Sequence, residues 1–271
     1  MIGPSVLVVG GAGYIGSHMV LALQDAGFDV VVFDNLSRGF ADAVGSARLI
    51  TGDLRSGQDV DACFSSHSFD LVMHFAALAY VGESVTNPEI YYDNNVSGTI
   101  NLLRSMRAHE VDKLVFSSTC AVYGEPESLP IDESHPRRPI NPYGRSKFTA
   151  EMMLEDYASA YNLNSISLRY FNAAGCDPEM RAGERHDPET HLIPLALMAA
   201  LTSKSGSEPG VVRMLGDNFP TPDGSCIRDY IHVSDLCAAH LLAARRLLSG
   251  KRSGADAFNL ANGNGFSVLE V

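Results

Sequence analysis

At 271 residues, 45% of them hydrophobic, the chain can enclose a large core, as one large domain or one domain with a smaller appendage. A formal net charge of −12 argues against a nucleic-acid partner, which needs a basic surface, but leaves room for small anions held by a few cations or a helix N-terminus. Cys63, Cys120, Cys176, Cys226 and Cys237 are widely spaced, which points to a reducing, cytoplasmic setting with no disulfide framework and no zinc site, and no apolar run approaches the roughly 18 residues of a membrane span.

Ser5 to Val9 (SVLVV) is a β-branched run of the kind buried on both faces of a parallel sheet, and it begins too early to leave room for a signal peptide. A glycine turn follows, then helical composition from Ser17 to Ala26 and a stop at Gly27. Asp29 to Phe33, Arg48 to Thr51, Asp70 to Phe75, Lys113 to Ser117 and Ser165 to Tyr170 read as further strands, with a helix over Asn95 to His109. This alternation predicts an α/β fold, a Rossmann-type doubly wound parallel sheet. After Asn172 the chain becomes rich in Pro, Gly and charge, with one apolar helix near Ile193 to Thr202, so a smaller, mixed α/β substrate-binding lobe is expected. The predicted division is 1–172 plus 229–250 for the cofactor domain and 173–228 plus 251–271 for the lobe. Ser267 and Glu270 have capping-box spacing, so the chain is expected to stop one turn into a helix, with the lobe incomplete.

Gly10-Gly11-Ala12-Gly13-Tyr14-Ile15-Gly16 ends the first strand and opens a helix. Gly10 permits the tight turn, Gly13 lets the backbone approach a pyrophosphate, and Gly16 lets the helix pack close to the sheet. The free N–H groups of the helix N-terminus then face the phosphates. Asp34 lies 18 residues after Gly16, where a carboxylate accepts from the adenosine ribose hydroxyls and repels a 2′-phosphate. The expected cofactor is therefore NAD rather than NADP, with Arg38 the one feature pulling the other way. Asp53-Leu54 reads equally as an adenine-contacting pair or as a helix-capping aspartate.

Tyr143 and Lys147 stand four apart in NPYGRSK, where Asn141 can cap a helix and Pro142 suits its first position. That spacing places both side chains on one face, where an ammonium is expected to lower a phenol pKa that is ordinarily about 10. Tyr143 can then take a hydroxyl proton. Ser117-Ser118-Thr119 ends a strand, where ligands gather in open parallel sheets, and Thr119 offers a hydroxyl to orient the reacting oxygen.

The order of glycine loop, SST strand end and YxxxK helix resembles the extended short-chain dehydrogenase/reductase family. Within it, GGAGYIGSH, HFAALAYVGES, YYDNNVSGT, SSTCAVYG, NPYGRSK, RYFNAAG, GERHDPETHLIPL and GDNFPTPDGSCIRDYIHV resemble the UDP-glucose/UDP-galactose 4-epimerase branch over the whole chain. The resemblance implies an isomerase, NAD-dependent at C4 of a UDP-hexose, acting by transient hydride transfer through a 4-keto sugar. It implies that Tyr143 is the base, that Lys147 tunes it and holds the nicotinamide ribose, and that Thr119 assists at O4. Asn35, Ser37, Phe75, Ala76, Ala77, Asn94, Ser117 and Tyr170 would join the glycine loop, Asp34, Asp53 and Leu54 around NAD. Asn172, His191, Leu192, Leu215 and Arg228 would hold the UDP part, Arg228 by gripping the diphosphate with two parallel hydrogen bonds.

Ala79 stands where some members carry Lys, and Thr119 where others carry Ser. Members also continue for about another 50 to 70 residues, a length typical of a small domain's share. The missing segment supplies another phosphate-binding Arg, so this chain is expected to bind NAD but to bind the UDP-sugar weakly. A homodimer is implied through the helix bearing Met152, Met153 and Leu154 and the Asn95 to His109 helix. His186 and His191 lack i,i+4 spacing, and they are expected to pack in a nucleotide-facing loop with no metal. Cys120 and Ala121 occupy positions where a 4,6-dehydratase needs an acid pair. Epimerases of N-acetylated or pentose UDP-sugars, and a non-catalytic NAD-binding regulator, remain as alternatives.

Overall fold

The computed structural model describes residues 3–204, 210–251 and 254–271. The chain runs through β1 (Ser5–Val9), α1 (Tyr14–Asp25), β2 (Asp29–Asp34), β3 (Arg48–Thr51), α2 (Gly57–Ser66), β4 (Leu71–His74), α3 (Val81–Thr86) and α4 (Pro88–Tyr91). A π-helical turn at Tyr92–Ser97 leads into α5 (Gly98–Ala108), followed by β5 (Lys113–Thr119), α6 (Pro142–Tyr161), β6 (Asn164–Tyr170) and β7 (Asn172–Ala174). The last elements are α7 (Leu192–Lys204), β8 (Ile227–His232), α8 (Val233–Leu248), β9 (Ala255–Leu260) and β10 (Gly265–Ser267).

Seven strands form one parallel sheet in the order β3-β2-β1-β4-β5-β6-β9. The period-2 alternation of each strand sends its side chains to two cores. Val6, Val8, Val30 and Val32 pack against Met19, Val20 and Leu23 of α1 and Val233, Ala244 and Leu247 of α8. Leu7, Val9, Val31 and Phe33 pack on the opposite side against α2, α5 and α6, through Val60, Phe64, Leu102, Leu103, Met106 and Leu154. Both faces are covered, which is why these strands are continuous apolar runs rather than alternating ones. The order reverses at β1, whose neighbours are β2 and β4, so a crevice opens at the carboxyl ends of β1 and β4.

A second sheet, β10-β8-β7, is mixed: β7 and β8 are parallel, β8 and β10 antiparallel. The predicted division needs two corrections. β9 lies at the edge of the large sheet, paired with β6 from Ser165↔Ala255 to Tyr170↔Leu260, although 251–271 was expected in the lobe. β8 belongs wholly to the small sheet, so the expected boundary at 228/229 cuts through it. The β9 sequence ADAFNL has no strong strand pattern, because an edge strand is half-covered and keeps polar residues.

Helix α1 starts at Tyr14, earlier than expected, because Gly13 takes the extended cap conformation (φ −80°, ψ 176°) directly after the turn. Ser267 and Glu270 make the reciprocal bonds of a capping box, at 2.7 and 3.1 Å, around a turn that directly follows β10. Among the described residues no helix is long and apolar enough to cross a membrane.

Candidate active site

The three glycines of the first loop are needed for three different reasons. Gly10 has φ +82°, and a Cβ there would lie 2.4 Å from the Ala76 nitrogen. A Cβ on Gly16 would lie 2.1 Å from the Gly10 carbonyl oxygen, so α1 can approach β1 only without one. Gly13 differs: its φ is ordinary, and a Cβ there would meet only the Gly10 oxygen, at 3.6 Å. The protein itself does not require a glycine at 13. Gly13 lines the crevice together with Gly10, Asp34, Asn35 and Ser37, and its missing side chain leaves the loop backbone open to a ligand there. The residues present therefore fit a dinucleotide's pyrophosphate. Tyr14 and Ile15 can take part only through backbone N–H groups. The Tyr14 hydroxyl donates to the Gly175 carbonyl at 2.6 Å, and Ile15 packs against Tyr170, Ile231 and Leu236.

Asp34 ends β2 with its carboxylate accepting the backbone N–H groups of Ala12 (3.0 Å) and Leu36 (2.8 Å). Burial raises its pKa above the ordinary value, and those two donors oppose the rise. A carboxylate has about four acceptor positions, so lone pairs remain for ribose hydroxyls. Arg38, beside the same crevice, is turned onto Glu83 at 3.0 Å and lies over the Tyr80 ring. Asn35 accepts from the Ser37 N–H and donates to Asp53. Asp53 does not cap α2; Ser56 does, accepting from the Asp59 N–H. The Arg55 guanidinium instead grips Asp53 and holds its carboxyl well below the usual carboxylate range. Leu54 lines the crevice, as do Phe75, Ala76, Ala77 and Asn94. The neighbouring Asn95, missed in the sequence reading, knits the wall together. It bonds both backbone groups of Leu78 and the Ser146 hydroxyl of α6.

At the carboxyl end of β5 the polar side chains alternate between two environments. The Thr119 side chain faces the Tyr143 phenol and draws its pKa down, and the Ser117 hydroxyl bonds the Tyr170 hydroxyl. Tyr143 is placed by α6, whose N-cap Asn141 accepts the Gly144 N–H at 2.8 Å and whose first residue is Pro142, as the sequence predicts. Lys147, 3% exposed, donates to the Ser117 carbonyl at 2.8 Å and sits over the Phe116 ring. The predicted lowering of the Tyr143 phenol is not found. Burial pushes it up to about 12, with the Thr119 side chain opposing. Burial also pushes Lys147 down to about 7, with the Glu151 carboxylate opposing, so near neutral pH it is only partly protonated and does little to lower the phenol.

Ser118 points the other way, into a buried network that the sequence reading also missed. Its hydroxyl donates to Glu151 at 2.6 Å. Arg169 donates to both oxygens of Glu151, at 2.9 and 2.7 Å, and to the Tyr123 hydroxyl at 2.8 Å. Both charged side chains are nearly fully buried. The signal was present in SISLRY: a charge inside a strand covered on both faces demands a buried partner.

The residues expected to hold the nucleotide are only partly assembled. Asn172 in β7 donates to the Asp229 carbonyl at 2.9 Å across the small sheet. Arg228, on the adjacent β8, faces the half-buried Cys120 thiol beside Thr119: burial pushes that thiol up to about 11 and Arg228 opposes the rise. Leu192 opens α7 and is half-buried. Leu215 is 88% exposed, outside the buried clusters. His191 is turned into a group with Glu184, His186 and Glu189.

Comparison with known proteins bears on this geometry. Residues 6–261 match the NAD dependent epimerase/dehydratase family. The UDP-glucose 4-epimerase of Halalkalibacterium halodurans is 52% identical over 267 residues, 98% of this chain and 78% of that protein. The crystal structure of a UDP-glucose 4-epimerase from Brucella ovis in complex with NAD is 49% identical and superposes with a TM-score of 0.92, covering 98% of this chain and 80% of the other. A Bifidobacterium longum UDP-glucose 4-epimerase in complex with NAD+ and UDP is 37% identical, with a TM-score of 0.90, covering 98% and 80%.

Proposed function

The chain belongs to the NAD dependent epimerase/dehydratase family, and from that we propose that it is an isomerase that interconverts UDP-hexoses at C4, UDP-galactose with UDP-glucose, using NAD. The observation that carries the reading is the convergence of the Thr119 hydroxyl, the Tyr143 phenol and Lys147 at the carboxyl end of β5, on the sheet whose β1–α1 loop forms the glycine cradle. One neighbour described above holds both NAD+ and UDP, which supports a UDP-sugar substrate. The relatives are UDP-glucose 4-epimerases, which favours a hexose over the N-acetylated or pentose alternatives and an enzyme over a regulator. We assign the large sheet with its helices to the cofactor and the small sheet with α7 to the UDP-sugar.

When bound, NAD supplies a reversible two-electron oxidant and a positive ring charge. Gly10, Gly13 and Gly16 with the backbone N–H groups of Tyr14 and Ile15 would hold its pyrophosphate. Asp34, Asn35, Ser37, Asp53 and Leu54 would hold its adenosine side, and Phe75, Ala76, Ala77, Asn94, Ser117 and Tyr170 the rest. In its phenolate form, reached by losing its own proton to solvent when positive charge is gathered beside it, Tyr143 takes the proton of the sugar's O4 hydroxyl at its oxygen and later returns it. Thr119 orients that oxygen. Lys147, one helical turn from Tyr143, contributes positive charge in its protonated form. Arg228 and Asn172, on adjacent strands, hold the diphosphate end, with His191, Leu192 and Leu215 beside it. Firm anchoring at the nucleotide leaves the sugar free to turn and present either face.

The direct test incubates the chain with UDP-galactose and NAD and looks for UDP-glucose; no conversion, with NAD demonstrably bound, overturns the reading. Asp34 carries a second expectation. Its carboxylate repels a 2′-phosphate, and Arg38 is engaged by Glu83, so NADP should bind at least about tenfold more weakly than NAD, or about 1.4 kcal/mol. Equal affinities by calorimetry would remove Asp34 from that role. We further propose a cytoplasmic homodimer in which α5 and α6 meet those of a second copy. Met152 and Tyr161 are exposed apolar residues on α6, and light scattering at a monomer mass would refute the pairing.

A further inference from the structure

The segment between β7 and α7 folds four metal-binding side chains onto one point. The ligand atoms of Glu184, His186, Glu189 and His191 all lie within 4.8 Å of one another. The Nδ1 of His186 is 3.3 Å from Glu184 Oε1 and 3.6 Å from Glu189 Oε2. The Nδ1 of His191 is 3.1 Å from Glu184 Oε1 and 2.8 Å from Glu189 Oε1. In a tetrahedral site with bonds of about 2.0 to 2.1 Å, neighbouring ligand atoms stand about 3.3 Å apart. The four imidazole–carboxylate separations, from 2.8 to 3.6 Å, scatter around that edge length, and no pair of ligand atoms stands farther apart than 4.8 Å.

A second, independent observation concerns Glu184. Its side chain is only 9% exposed, and its Oε1, which faces both imidazoles, is buried without a hydrogen-bond partner. The Nδ1 of His186, aimed at it, is likewise buried and unpartnered. Buried polar atoms in that state are costly unless something satisfies them. Among the described residues no Lys or Arg pairs with Glu184 or Glu189; Arg185, between them in sequence, is turned away onto Asp42 and the Phe40 ring. Against its burial, Glu184 and Glu189 draw the His186 imidazole above its ordinary pKa, and with both histidines neutral the cluster carries two negative charges.

We propose that Glu184, His186, Glu189 and His191 form a binding site for a divalent first-row transition metal ion of the Zn2+ type. Two imidazole nitrogens with two carboxylates suit Zn2+ or Co2+ and are a poor match for Mg2+ or Ca2+, which prefer all-oxygen shells. Glu189 is already oriented, since its Oε1 accepts the N–H groups of Thr190 (2.7 Å) and His191 (2.8 Å). The His186 ring packs edge-on against Tyr14, the first residue of α1, at 5.9 Å. An ion here therefore clips the segment leading into α7 against the helix that carries the glycine cradle.

The test is independent of sugar turnover. The whole chain, stripped with EDTA and dialysed, is titrated with ZnCl2 by calorimetry and with CoCl2 by visible absorption. The expected result is one equivalent bound, with the d–d absorption of four-coordinate Co2+. Glu184→Gln and His186→Gln should each weaken binding about tenfold or more while leaving the circular dichroism unchanged. If one variant fails to fold, the other is read. Absence of binding, octahedral Co2+ spectra, or equal binding by the parent and the folded variants, as ions held by the exposed Cys176 would give, overturns the site.

Discussion

Tyr143→Phe is expected to leave the fold and NAD binding intact and to reduce turnover by about 10²- to 10⁴-fold, the usual range for a lost general acid or base. The phenol hydroxyl is the only group removed, and the neighbouring Thr119 oxygen still accepts the Ala121 N–H at 3.2 Å. The helix start is untouched, because Asn141 and Pro142 define it. The loss should fall on kcat rather than on the apparent affinity for the UDP-sugar, since in the proposed reading other residues would hold the nucleotide. A variant that turns over within a few-fold of the parent would take Tyr143 out of the chemistry. With burial holding the phenol near 12 and Lys147 near 7, the free protein keeps Tyr143 protonated at neutral pH. Proton removal therefore depends on positive charge gathered beside it, not on the phenol's intrinsic acidity.

Glu151→Ala is expected to cost about 3 to 5 kcal/mol of folding stability, because it strands a buried guanidinium. Arg169 is 4% exposed and loses two of its bonds, at 2.9 and 2.7 Å; Ser118 loses its acceptor, and Arg137 loses one of two carboxylates. The midpoint of urea unfolding should fall with an unchanged slope. A double replacement, Glu151→Leu with Arg169→Met, should recover much of the loss, since no charge is then left buried alone. A loss below about 1 kcal/mol in the single variant would mean that Arg169 finds water or another partner. The network also has a functional consequence. Ser118 lies between Ser117, whose carbonyl holds Lys147, and Thr119, which faces Tyr143, so the ion pair fixes the strand end on which the proposed reactive groups sit.

What the sequence by itself determined was whatever depends on near neighbours along the chain. Gly10 and Gly16 are legible because a turn and a close helix contact each forbid a side chain within one short segment. Tyr143 and Lys147 are legible because residues four apart share a helix face, and Asn141-Pro142 because capping is local. The inner strands announced themselves as apolar runs because both of their faces are covered, and β3, at the sheet edge, was legible only from its short RLIT run. Only the tertiary structure decided the rest. β9 joins the large sheet through pairing with β6, nearly ninety residues earlier, and its edge position leaves no apolar pattern to read. Glu151 meets Arg169, and Ser118 meets Glu151, only because α6 packs on β5 and β6. The phenol took a pKa that spacing alone had assigned in the wrong direction, and burial lowered the ammonium as well, because desolvation depends on everything packed around a group. His186 and His191 were discounted as ligands for want of helical spacing, yet a folded segment needs no period to bring them together with Glu184 and Glu189. Periodicity and turn chemistry are written along the chain, whereas burial and convergence arise only when distant parts of it meet.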